Sequence, residues 1–318
     1  MFARQIIETF VTLRCAVTIN DYFRCLIFTV TKNMALQIIT SVQEMHNYAS
    51  GMRADGKTIG FVPTMGYLHD GHAALIRHSC LKADVTIVSV FVNPTQFGPN
   101  EDFLRYPRDF ERDCHIAEEA GATVMYAPSV EEMYPNGYSS MVLAGKEAQV
   151  FDGIARPGHF NGVVTVVTKL FNAVKPHIAV FGQKDYQQTL VVKRLVKDLN
   201  FDIQIIIAPT EREANGLARS SRNVYLSEHD RENASSIFKA LTAAAHARQQ
   251  GEKNAHILQA IMQNILMTIP HVHIEYAQAA HADTLAEIID FEEKDSIVFL
   301  IAIRLGTTRL IDNLVWHP

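Results

Sequence analysis

The stretch TIGFVPTMGYLHDGHAALIRHSCLKADVTIVSVFV, residues 58–92, decides how the rest of the chain is read. It opens on a short apolar run, Thr58 to Val62, stopped by Pro63, which lacks the N–H that a sheet interior needs. It closes on an almost continuous apolar run from Val85 to Val92, and Ala73 to Lys82 between them has a helical pattern. Strand, loop, helix, strand is a βαβ unit, and strands apolar on both faces belong to a parallel sheet covered by helices. The loop holds His69 and His72, with Gly66 and Gly71 beside them. A metal site, a helix turn that happens to hold histidines, and a phosphate cradle are the competing readings.

Outward from this unit the pattern repeats. Helices fit 41–55, with Ser41 as cap, and 108–120, 163–174 and 185–199; strands fit 123–126, 177–181 and 201–207. This alternation predicts a Rossmann-like, doubly wound α/β domain over 34–210. Two long loops interrupt it, near 93–107 and 134–160, and loops of that length inside a compact domain are functional or disordered. From 211 the texture changes. Helices fit 228–249 and 254–268, and strands fit 271–279, 296–303 and 308–312, which predicts a smaller α+β domain over 211–318.

With 318 residues, 48% of them hydrophobic, the chain can bury a large core and has room for about two domains. A net charge of −5 with both signs interspersed excludes a basic nucleic-acid face but leaves room for a locally positive pocket. The four cysteines form no CxxC pair, which removes zinc-finger and thioredoxin readings and fits a reducing cytoplasm. No apolar run approaches the ~18 residues that span a bilayer. Residues 1–33 carry Arg4, Arg14 and Arg24 among apolar residues, with Glu8 and Asp21 mixed in. A signal peptide has a longer apolar core, and a transit peptide usually lacks acids. The segment is therefore expected to lie outside the fold, as an extension upstream of Met34.

Three stretches carry candidate chemistry. HDGH follows a strand and opens a helix, where free N–H groups and the positive dipole end favour an anion. His69 and His72 add two imidazole donors, whereas a metal site lacks a third His or Cys at suitable nearby spacing. FGQKDYQQ, residues 181–188, again joins strand to helix, and Lys184 sits at a helix start, where a cation is disfavoured unless a polyphosphate reverses the sign. NGLARSSRN, residues 215–223, lies at the domain junction and offers two hydroxyls and two guanidinium groups in four residues, an anion clamp or an exposed polar loop.

These stretches, in this order, resemble the pantothenate synthetase (pantoate–β-alanine ligase) family of HxGH nucleotidyltransferases, which are related to class I aminoacyl-tRNA synthetases. The resemblance rests on PTMGYLHDGH (63–72), FVNPTQFGPNEDFLRYPRD (91–109), ARPGHFNGVVTVVTKLFN (155–172), FGQKDYQQ and GLARSSRN (216–223). It runs from about Met34 to the terminal LIDN at 310–313. It implies ATP-dependent condensation of pantoate with β-alanine through a pantoyl adenylate, with release of pyrophosphate and AMP. It also implies a homodimer, and a lid formed by the C-terminal domain and the 211–222 junction.

The resemblance implies an ATP site of Met65, Gly66, Tyr67, Leu68, His69, Asp70, Gly71 and His72, with Gly182, Gln183, Lys184 and Asp185. His69 and His72 are expected on the phosphates, His72 as the donor to the phosphoryl oxygens, and Lys184 as the polyphosphate cation. Ser220, Ser221 and Arg222 are expected to close over the phosphates. Gln96 and Gln188 are expected to bind pantoate, with Gln96 also meeting β-alanine and Asn93 and Tyr106 in the same loop. Magnesium is expected on the polyphosphate, with Asp113 nearby. Three positions depart from the family pattern: Gln183 for Glu, Arg219 for Met or Leu, and Glu211 for a small apolar residue near the adenine rim. The competing readings are an HxGH nucleotidyltransferase with another acceptor and a non-catalytic nucleotide-binding homologue. A chain starting at Met34 is expected to fold and turn over as the full chain does; lost solubility or activity on that truncation would make the extension part of the protein.

Overall fold

The computed structural model describes residues 35–99 and 101–318; the extension at 1–33 lies outside them. The apolar runs form one parallel sheet. In chain order its elements are β1 (Gln37–Ile39), α1 (Val42–Ala54), β2 (Ile59–Thr64), α2 (Asp70–Cys80), β3 (Val85–Val90), α3 (Phe110–Ala120), β4 (Val124–Tyr126), α4 (His159–Val174), β5 (Ile178–Gly182), α5 (Tyr186–Asp198) and β6 (Gln204–Ala208). The strand order is β1-β4-β3-β2-β5-β6, and every pairing is parallel. From β2 the chain steps outward to β3 and β4, then returns to lay β5 on the other side of β2. That reversal creates a crevice at the carboxyl ends of β2 and β5. The loops leaving those two strands carry HDGH and QKD.

Alternate strand residues feed two cores, which makes the sheet doubly wound. Ile59, Phe61, Ile87 and Phe181 pack with Met45 of α1, Val191 of α5 and the apolar face of α4. Val62, Val88 and Val180 pack on the other side with Ile76 of α2 and Ala117 of α3. Burial on both faces is why these strands read as unbroken apolar runs.

The longer elements after β6 are α6 (Glu228–Ala234), α7 (Ser236–Gln249), α8 (Ala255–Leu266), β7 (His273–His281), β8 (Ile297–Leu305) and β9 (Thr308–Trp316). The strands form an antiparallel sheet in the order β7-β8-β9. The helix expected over 228–249 is two helices meeting at Ser235, where Asn233, Ser235 and Ser236 bring side chains that compete for backbone hydrogen bonds. Strand β8 is buried on both faces. Ile297, Phe299, Ile301 and Ile303 meet α7 and α8, while Val298 and Leu300 meet Phe151 and Leu190 of the first sheet's layer.

One buried carboxylate fixes the loop after β2. Asp113 of α3 accepts hydrogen bonds from the backbone N–H groups of Tyr67 (2.8 Å) and Leu68 (2.6 Å), one on each oxygen. Thr64 Oγ1 accepts from the Gly66 N–H at 3.1 Å. Asp113→Ala leaves two N–H donors without an acceptor, at about 1–3 kcal/mol each, so urea unfolding should show a loss of about 2–5 kcal/mol, and Asp113→Asn a smaller one. A loss under about 1 kcal/mol in the alanine variant would mean that the loop finds other acceptors.

Candidate active site

The helix expected to begin at Ala73 begins at Asp70, so HDGH is itself the cap and first turn of α2. His69 Nδ1 accepts the Gly71 N–H at 3.1 Å, and His72 Nδ1 accepts the His69 N–H at 3.3 Å. The two histidines thus cap one helix end reciprocally, with ring centroids 4.1 Å apart. Gly71 permits it, because a Cβ there would stand 2.9 Å from His69 Nδ1. A nitrogen that accepts an N–H carries no proton, so each neutral ring keeps its hydrogen on Nε2. Burial lowers His69 to about 2, helped by the charges of His72 and Lys184. Burial also lowers His72 to about 4, with Asp185 opposing and Lys184 assisting. Both rings are therefore neutral hydrogen-bond donors at neutral pH.

A cavity of about 220 Å³ lies in the crevice and gathers the dispersed motifs. Met65, His69, Gly71 and His72 come from the loop after β2, and Gly182, Lys184, Asp185 and Gln188 from the turn after β5. The junction supplies Glu211, Arg219, Ser220, Ser221 and Arg222, and the loop after β3 supplies Asn93, Gln96 and Tyr106. The junction is a small hairpin, bridged at Arg212 and Ala218. Ser221 Oγ donates to the Tyr67 carbonyl at 3.1 Å, and Arg219 pairs with Asp70 at 2.8 Å, joining the hairpin to the start of α2. Arg222 makes two hydrogen bonds to Asp102, both at 2.9 Å, above the Tyr106 ring.

Several residues expected on the nucleotide do not line this cavity. Leu68 is fully buried in the core, and Gly66 and Tyr67 turn toward the opposite side of the loop. Asp70 is exposed and spent on Arg219, and Gln183 faces Asn313 of β9. Asp113 stands behind the loop with both oxygens on backbone N–H groups, where it anchors the loop. Among the described residues no cluster of three His, Cys, Asp or Glu could hold a metal ion.

The RPGH stretch carried no assigned role, yet it builds the floor beneath Gln96. His159 Nδ1 donates to the Gln96 carbonyl at 2.8 Å, so its Nε2 is the acceptor for Arg156 Nη1 at 2.9 Å. Burial, with Arg156, lowers His159 to about 4. Burial would raise Glu101, but its two hydrogen bonds from Arg156 hold it at about 2. Asn93 Nδ2 donates to Gln96 Oε1 and to the Gly162 carbonyl, both at 3.1 Å. Helix α4 comes this close only because residue 162 is glycine: a Cβ would sit 2.4 Å from the Thr95 carbonyl oxygen. Val163, Val166, Val167 and Leu170 of the same helix form an apolar wall of the cavity.

The caps carry a pH signature. Folded-state values below the ordinary 6.5 mean that the folded chain binds fewer protons than the unfolded chain. The caps contribute full stability above about pH 6.5 and lose it as pH falls through the window toward those values. Nitrogen NMR of labelled histidine should show His69 and His72 as the Nε2–H tautomer from about pH 8 down to about pH 5; an imidazolium signal at either ring in that range would overturn the assignment.

A model of the pantoate-beta-alanine ligase family matches residues 37–315. The pantothenate synthetase of Geobacter sulfurreducens is 49% identical over 280 residues, covering 88% of this chain and 98% of that protein. That of Caldicellulosiruptor saccharolyticus is 47% identical over 278 residues, covering 87% and 98%. The crystal structure of pantothenate synthetase from Thermus thermophilus is similar with a TM-score of 0.83 at 42% identity, covering 89% of this chain and 100% of that one. Pantoate-beta-alanine ligase from Francisella tularensis, solved in complex with beta-gamma ATP and β-alanine, has a TM-score of 0.73 at 34% identity, covering 88% and 98%. By sequence and by fold, the chain belongs to the pantoate–β-alanine ligase family.

Proposed function

We propose that the cavity between β2 and β5 condenses pantoate with β-alanine at the expense of ATP. The observation that carries this reading is the convergence of both histidines, Lys184, the junction serines, Gln96 and Gln188 on one cavity. The pantoate carboxylate attacks the α-phosphorus of ATP, forming a P–O bond as the bond to pyrophosphate breaks. That nucleophile is already an anion and needs no general base, so the work of the site is positioning and charge stabilisation. His69 and His72 donate Nε2–H bonds to phosphoryl oxygens as charge builds, and Lys184 offsets charge on the departing pyrophosphate. Ser220, Ser221 and Arg222 cover the phosphates from the junction. The amine of β-alanine then attacks the acyl carbon, loses a proton, and displaces AMP.

Gln96 and Gln188 are the amides assigned to pantoate. Neutral amides suit a carboxylate that must stay nucleophilic, since a direct guanidinium clamp would stabilise the ground state. Magnesium enters with the substrate triphosphate and not as a resident ion. The C-terminal sheet with the junction hairpin acts as a lid that keeps water from the acyl adenylate. The family resemblance extends the reading to a homodimer working in the cytoplasm.

The test is AMP formation from ATP and magnesium with pantoate and β-alanine together and with each omitted in turn. AMP release should require both, with pantothenate as product; turnover indifferent to pantoate would transfer the site to another acceptor. His72→Ala and Lys184→Ala should each lower turnover by at least ~100-fold, the scale for losing a charge-stabilising donor. Near wild-type rates in either variant would remove that residue from the mechanism.

A further inference from the structure

The turn bearing Lys184 lacks a support of its own. Gln183–Asp185 is a single 3₁₀ turn without a side-chain cap, and α5 behind it is also uncapped. Its support comes from the far end of the chain. Asn313, in the middle of β9, is 1% exposed. Its Nδ2 donates to the carbonyls of Gln183 and Lys184, both at 2.9 Å, and its Oδ1 accepts from Gln183 Nε2 at 3.3 Å. Both donors and the acceptor of one carboxamide are thereby used on a single turn. The preceding residue, Asp312, binds Arg212 of the junction hairpin through both oxygens and also accepts the Asn313 N–H at 2.8 Å. Adjacent residues of one strand thus hold two segments that line the cavity, the turn at Lys184 and the junction hairpin.

The chemistry gives this contact a direction. A carbonyl oxygen turned toward a polyphosphate sets negative against negative. Drawing the carbonyls of residues 183 and 184 onto Asn313 turns that negative edge away and leaves Lys184 and Gly182 at the cavity wall. Asn313 itself does not line the cavity. We propose that Asn313 is a positioning residue for adenylation, acting through Lys184, and that Gln183 completes its carboxamide pairing. The proposal rests on the role given to Lys184 above.

The test is pantoate-dependent exchange of radiolabelled pyrophosphate into ATP, which reads adenylation without the second step. Asn313→Ala slows exchange about 10-fold or more, while half-saturation by β-alanine in the full reaction is unchanged. Asn313→Asp, closer in shape, is slower still, because an oxygen replaces the N–H donors against two carbonyls; a purely packing role gives the opposite order. In a Lys184→Ala background, Asn313→Ala changes exchange by less than about 2-fold, since both act through one group. Should the alanine variant not fold, Asn313→Ser takes its place in the same cycle. Multiplying effects in the double variant, or wild-type exchange in Asn313→Asp, overturns the proposal. Undiminished exchange in Lys184→Ala overturns the Lys184 role and this proposal with it, and absence of pantoate-dependent exchange in the wild-type chain overturns the adenylation reading itself.

Discussion

A carboxylate that faces no solvent, Asp113, holds the turn from which the site is built. Its helix is packed against the sheet through Ala117 and Ala120. From that rigid position it takes the N–H groups of Tyr67 and Leu68, at the point where Tyr67 adopts a left-handed φ of 50°. Left-handed backbone at a non-glycine residue is strained and persists where its surroundings over-determine it. Here they do, because the next side chain, Leu68, is sunk in the core. The reversed backbone delivers His69 as a helix cap, and that cap fixes which imidazole nitrogen holds the hydrogen. Proton placement at the cavity therefore follows from a hydrogen bond made on the other side of the loop.

The cations around the cavity are mostly spoken for. Arg222 is paired with Asp102, Arg156 with Glu101, and Arg212 with Asp312. Among the described residues Lys184 pairs with Asp185, at 3.9 Å, and that carboxylate is half exposed. A cluster of unpaired guanidinium groups would bind triphosphate and pyrophosphate alike, lowering ground state and transition state together. On the function proposed above, neutral imidazoles with a lightly paired ammonium leave the strongest interaction for charge that develops during transfer. Arg219, one of the departures from the family pattern, fits the same economy: its pairing with exposed Asp70 is a surface interaction worth at most about 1 kcal/mol, enough to bias the hairpin without locking it.

Periodicity carried most of the fold, because each buried strand spans enough residues to show its pattern and each motif sits where strand gives way to helix. What it missed has physical causes. Strand β1 is three residues long, too short for any period. Helix α2 begins three residues before its apolar pattern, at Asp70, because His69 caps it: histidine is not among the usual N-cap residues, but here its ring accepts an N–H as Asn or Asp would. The cavity residues found from sequence were those in short contiguous motifs. The supports it did not read act across long separations: His159 of the cavity on the carbonyl of Gln96, and, outside the cavity, Asp113 on the backbone of Tyr67 and Asn313 on the turn at Lys184. A lone Asp or Asn carries no local sign of a partner forty or a hundred residues away.

The seam between the two sheets shows how such separations are used. Strand β9, expected over 308–312, continues to Trp316 through Asp312 and Asn313, which break its apolar pattern. The break is where the strand meets the other sheet's loops. Nearby, Asp152 accepts from Tyr276 at 2.8 Å and pairs with Arg309; burial would raise that carboxyl, but Arg309 holds it below its ordinary value. Buried ion pairs gain little net stability over apolar packing, but they allow few alternative registers. The apolar part of the seam is small, built around Phe151, Leu190, Val298 and Leu300. A joint made of an apolar patch and well-matched polar pairs specifies one register, because a slipped strand would leave Asp152 and Asp312 buried without Arg309 and Arg212. That register is what sets Asp312 against the junction hairpin and Asn313 against the turn at Lys184, so the polar pairs of the seam fix the cavity's two supports together.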